Sequence, residues 1–141
     1  MIDLLEQSWS KGQLPIIHGI VKNNGLYYKL ENSENQIKTT EPVPFSFDFS
    51  GNDFSEIDPL FEMKIDKFTL YCGEGSWGGD GFIYIENTET KKLLWCIFAD
   101  SINPIIKCEM LENKLIAENN NYSQYIFEFE NPEKLKHLLI R

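Results

Sequence analysis

Two histidines, three cysteines and the stretch GEGSWGGDGF at residues 73 to 82 are the places in this chain where side-chain type and spacing could do chemistry. A Ser-His-Asp or Cys-His site would have to use His18 or His137. His18 sits between Ile17 and Gly19 in an apolar run, His137 lies near the chain end, and no GxSxG elbow raises a serine. Both histidines therefore read as surface or packed residues. The 22 acids could supply a carboxylate pair for acid–base work, but no spacing singles one out. Asp100, after the apolar LLWCIFA run, is the best single candidate for a perturbed carboxylate, against its reading as the turn former of ADSINP. No catalytic residue is assigned, and the expectation is a protein that is not an enzyme.

The glycine-rich stretch fails each ligand template in turn. Gly73, Gly75 and Gly78 have dinucleotide-fingerprint spacing, but the sequence that follows alternates as a strand and presents no helix N-terminus to a phosphate. A phosphate loop ending in GK[ST] is excluded because no lysine lies between 68 and 90. With Gly81 as sixth residue of a calcium loop, the twelfth position would be Asn87 instead of a bidentate Glu. The expectation is no cofactor and no metal. The glycines instead permit positive torsions in a wide turn or bulge. Trp77 then either folds back over the core edge or stands out as an aromatic anchor, with Glu74 and Asp80 as charges beside it. Cys72, Cys96 and Cys108 form no CxxC pair and read as buried thiols.

The elements that must position these residues are mainly strands. A short N-terminal helix is expected, with Asp3 as cap, Glu6 three residues later, Leu5 and Trp9 on one face, and Gly12 at its end. PIIHGIV and LYYKLE flank Asn24-Gly25, a strong hairpin signal. In the second run, Tyr27 and Tyr28 place one ring on each sheet face, one buried and one toward solvent. Residues 32 to 43 read as a polar loop, and Phe45, Phe47 and Phe49 alternate as a half-buried strand. DFSEIDPLFEM reads as a helical turn or loop. From Phe68 onward an antiparallel meander is expected, with LLWCIFA, including core Trp95, as a central strand covered on both faces. Pro132, Leu135, Leu138 and Leu139 suggest a C-terminal helix. The fold class is mainly β (α+β), a curved antiparallel sheet or sandwich of about eight strands with short helices at both ends, built as a single domain over residues 1–141.

Charge is the bulk property with most to say about partners. Thirteen basic residues against 22 acids give −9. Between Glu31 and Asp66 nine acids meet two lysines, for −7, leaving −2 for the other 105 residues. Such a surface repels nucleic acid and anionic lipid and steers toward a basic partner. No apolar run is long enough for a transmembrane helix, and MIDLLEQSWSKG lacks a basic-then-apolar signal pattern, which implies a cytoplasmic protein.

GEGSWGGDGFIYIENTETKKLLWCIFADSINP, residues 73 to 104, resembles a segment of small bacterial proteins of the immunity type. These belong to contact-dependent inhibition and other polymorphic toxin systems. The shared features are the glycine loop with its Gly-Asp-Gly-Phe, the following turn, the LLW strand and the Asp-Ser-x-Asn-Pro turn. The resemblance implies a neutralising interaction with a cognate toxin and carries over no site residue. The reading is therefore an immunity protein, a monomer or weak dimer. It would neutralise a basic toxin domain, of the nuclease kind for example, by stoichiometric binding. The expected contact residues are Glu41, Asp48, Asp53, Glu56, Asp58, Glu74, Trp77 and Asp80. The alternative is a small-molecule-binding or enzymatic β domain with a cavity lined by Trp95, Tyr84 and Phe82.

Overall fold

The computed structural model describes residues 1–34, 36–76 and 78–139. One helix, α1 (Ile2–Ser10), precedes strands β1 (Gln13–Pro15), β2 (Gly19–Lys22), β3 (Leu26–Ser33), β4 (Gln36–Thr39), β5 (Val43–Pro44), β6 (Phe54–Ile65), β7 (Phe68–Gly75), β8 (Gly81–Asn87), β9 (Leu93–Ala99), β10 (Ile105–Leu111), β11 (Lys114–Asn119), β12 (Ser123–Glu128) and β13 (Asn131–Leu139). Nine strands make one open antiparallel sheet in the order β1-β6-β7-β8-β9-β2-β3-β4, with β5 added on β3; β10 to β13 make a four-stranded meander. The mainly β expectation holds. The strand count exceeds it because short strands occupy stretches that read as loop. No helix among the described residues is long and apolar enough to cross a membrane.

Alternation along the central strands builds two cores on the two faces of the large sheet. On β8, Ile83 and Ile85 point toward the small sheet, where Ile20, Leu70, Trp95, Leu115 and Phe127 join them. Phe82 and Tyr84 point the other way, toward Leu5 of α1, Leu14, Val21 and Phe98. LLWCIFA, as β9, sits between β8 and β2 and is covered on both faces, as its apolar run implied. Trp95 is in the core, and its indole N–H donates to the Phe129 carbonyl across the sheets at 2.8 Å.

Several sequence expectations need correction. The C-terminal segment is a strand, not a helix: Tyr125 pairs with His137 and Ile126 with Lys136. Leucines at three- and four-residue spacing match a helix face, but Lys134, Lys136 and Leu138 also alternate with Leu135 and His137, and the free edge of β12 selects the strand. DFSEIDPLFEM is not a helical turn but most of β6. Its period is hidden by a bulge between Pro59 and Phe61. Ile57 packs on the helix side, whereas Phe61, Met63 and Ile65 pack toward the small sheet. Residues 45 to 50 form no strand, although burial does alternate. Their rings pack with Phe54 as an aromatic group: Phe47 lies 5.0 Å from Phe49 and 5.5 Å from Phe54. The polar stretch 32 to 43 contains β4, paired with β3. PIIHGIV is two strands, broken at His18, whose φ is 51°. Asp3 is in the first turn of α1 and the cap is Met1. Both rings of Tyr27-Tyr28 pack, one against each core, so neither faces solvent fully.

Candidate functional site

The glycine-rich stretch bends β7 into β8, and its glycines are there for close approach. A Cβ on Gly73 would meet the backbone of Asp58 and Leu60 at the β6 bulge, and one on Gly81 would run into the Asn103 carbonyl. Gly75 leaves room for Ser55 Oγ and Asp80 Oδ2, which a Cβ would meet at 2.7 and 3.0 Å. Gly78 takes φ +75° in the turn itself. The expected positive torsion is found at Gly78, whereas Gly73, Gly75 and Gly81 serve close approach instead. Trp77 lies outside the described residues.

Around this bend the fold gathers residues far apart in sequence. Ser55 Oγ accepts from the Ser76 backbone N–H at 3.0 Å, lies 3.2 Å from Ser76 Oγ and donates to the Glu56 carbonyl. That hydroxyl is occupied in holding the β6–β7 corner, and its partners do not include His18. His18 instead places Nδ1 3.4 Å from Asp100, with both side chains substantially exposed. Asp80 is the buried carboxyl of the group. Burial raises its proton affinity first, the Asp100 charge adds to that, and His18 opposes it. Asp80 is thus a perturbed carboxylate that the sequence did not single out, and Asp100 lies in the turn that ADSINP implied. No residue-type signal marked Asp80; its burial follows from its place at the start of β8, opposite Gly75.

The other proposed contact residues fall in separate places. Glu41 is exposed in the loop before β5. Asp48 is exposed but occupied in a turn, accepting from the Ser50 N–H and hydroxyl, which lowers its pKa. Asp53 is exposed, and its carbonyl accepts from the Ile16 N–H. Glu56 and Asp58 are exposed on β6, and Asp58 stands directly opposite Glu74 of β7. Because Ile57 packs on the helix side, Glu56, Asp58 and Glu74 share the opposite face. Glu31 and Glu34 lie on the β3–β4 hairpin, five strands away from β6, or about 24 Å at ordinary strand spacing. The acidic run of the sequence is therefore dispersed, and of its members Glu56 and Asp58 lie beside the glycine loop, where Glu74 of β7 joins them.

Ion pairing separates that run from the other acids. The seven ion pairs among the described residues use Asp3, Glu6, Glu86, Asp100, Glu118, Glu128 and Glu133. Every one of these lies outside residues 31 to 66. Inside the segment, Glu31 faces Lys38 across the hairpin without reaching pairing distance. Glu74 also has no ion-pair partner among the described residues. Asp58 and Glu74 are opposed in the β6–β7 register, an arrangement that is generally destabilising for like charges on neighbouring strands.

Trp95, Tyr84 and Phe82 do not line one shared cavity among the described residues. Trp95 faces the small sheet, Phe82 and Tyr84 face α1, and all three are fully buried. The volume between Trp9 and this face is filled by stacking, with Trp9 4.0 Å from Tyr84 and nearly parallel to it. A cleft of about 510 Å³ lies at the far end of the sandwich, among the β6–β7, β10–β11 and β12–β13 turns. Compared with family models, with curated proteins and with solved structures, the chain finds no match.

Proposed function

We propose that this chain is an immunity protein that neutralises a basic toxin domain by stoichiometric binding, through the acidic surface of Glu56, Asp58 and Glu74. The observation that carries the reading is the opposed, unpaired Asp58 and Glu74 pair beside the exposed Glu56. A stable fold gains nothing from that arrangement alone, whereas a lysine- or arginine-rich partner would relieve it. The net charge of −9 would speed the encounter with such a partner. Asp80 is buried beside Gly75 and is not part of this surface.

The test is co-purification from the source cell, with the flanking reading frames intact. The expected result is a stoichiometric basic polypeptide that is lethal when expressed without this chain. A monomeric eluate with no polypeptide partner would end the proposal.

A further inference from the structure

Cys72 of β7 and Cys108 of β10 meet across the interface between the two sheets. Their sulfurs are 3.6 Å apart, with the Cys108 thiol donating to Cys72. They are 36 residues apart in sequence. The third thiol, Cys96, belongs to the core on the opposite face of the large sheet. Cys108 lines a small pocket of about 130 Å³ with Phe61, Lys107, Glu109, Ile116 and Glu118. This pocket lies between β6 and β10, at one side of the two sheets, which share no ladder with each other. The opposite side is tied by polar contacts: the Ile37 N–H donates to His137 Nδ1, and Thr39 Oγ1 donates to the Glu133 carbonyl.

We propose that Cys72 and Cys108 are an oxidative modification site, in which a hydroperoxide small enough to enter this pocket converts the two thiols into a disulfide that staples the sheets. Cys108 sulfur attacks the peroxide, the O–O bond breaks, and Cys108 becomes a sulfenic acid as one water leaves. Cys72 sulfur then attacks Cys108 sulfur, the S–O bond breaks, and a second water carries away the Cys72 proton. Two thiols lose two electrons in total, and one hydrogen peroxide gains them. The sulfurs must close by about 1.5 Å from their present 3.6 Å to reach bonding distance. A thiol exchange with an external dithiol reverses the step.

The hydrogen bond to Cys72, together with burial, holds the Cys108 thiol well above its ordinary pKa. Thiolate is therefore scarce at neutral pH, and oxidation speeds up as pH rises. The bond would close a long loop and join the two sheets covalently, which limits the unfolded ensemble.

The test treats the full chain with excess hydrogen peroxide, then counts thiols after denaturation and maps peptides without reduction. The expected result is loss of two thiols of the three, a cross-link joining the Cys72 and Cys108 peptides, and free Cys96. The melting temperature should rise by roughly 5 to 10 °C and fall back on treatment with a dithiol. Cys96→Ala should behave like the parent chain, which keeps the test independent of whether Cys72→Ala or Cys108→Ala folds. Retention of all three thiols, a cross-link through Cys96 or between chains, or over-oxidation of Cys108 without a cross-link would each overturn the proposal.

Discussion

Tyr84 is fully buried under the face of Trp9, and its hydroxyl has no hydrogen-bond partner among the described residues. Burial pushes its pKa up, and the Cys96 thiol and the Glu6 and Glu86 carboxylates nearby add to that. An unsatisfied buried hydroxyl is costly, so Tyr84→Phe should stabilise the protein by about 1 kcal/mol in denaturant titrations. A loss of stability would show that the hydroxyl has a partner. His137 gives a test of opposite character. Its Nδ1 accepts from the Ile37 N–H at 3.0 Å, so Nε2 carries the proton and faces Ser123 Oγ at 3.0 Å. Burial lowers its pKa below the unfolded value of about 6.5. As pH falls through 6.5 the unfolded chain takes the proton first. The stability this histidine contributes is therefore complete above that pH and lost below it, down through the folded value. Asp80, whose folded pKa is raised, acts with the opposite sign at lower pH, nearer the ordinary carboxylate range. Unfolding free energies at pH 8 and pH 5.5 should differ more for the parent chain than for His137→Gln. Equal differences would exclude the histidine as the source.

At the scale of elements, the glycine loop can be tested with two single-methyl substitutions. Gly81→Ala would drive a Cβ into the Asn103 carbonyl, backbone against backbone, and should cost about 2 to 3 kcal/mol. Gly79→Ala meets nothing within 4 Å and should change stability by less than about 0.5 kcal/mol. Similar effects at both positions would refute the account of this bend. The same loop shows what the sequence made legible. The hairpin at Asn24-Gly25 followed from residue types alone, and so did the strand that leaves the loop at Gly81. Each is a local signal. What stayed hidden depended on partners distant in sequence. The Phe45–Phe49 alternation reported burial correctly but could not report that no ladder partner stood beside it. The β6 bulge broke the period that would have revealed a twelve-residue strand. The C-terminal leucines fitted two periods, and only the free edge of β12 chose between them. For the site, acid content was legible, but the opposition of Asp58 to Glu74 and the burial of Asp80 required the register of β6, β7 and β8.

At the scale of the whole molecule, the account rests on where charge is balanced and where it is not. The outer face of the small sheet pairs Lys107 with Glu118 and Lys134 with Glu128, as a solvated surface does. The Glu56, Asp58 and Glu74 surface has no such pairing among the described residues. Association through it should slow roughly tenfold or more between low and physiological ionic strength, measured as an on-rate. The measurement that tests the central claim most directly is capture from the source cell by the parent chain and by Asp58→Asn/Glu74→Gln side by side, with unfolding curves on both. The account predicts that the double variant is more stable, by about 0.5 kcal/mol, yet loses the basic polypeptide that the parent chain retains. Equal capture by both chains, or no partner with either, would contradict it.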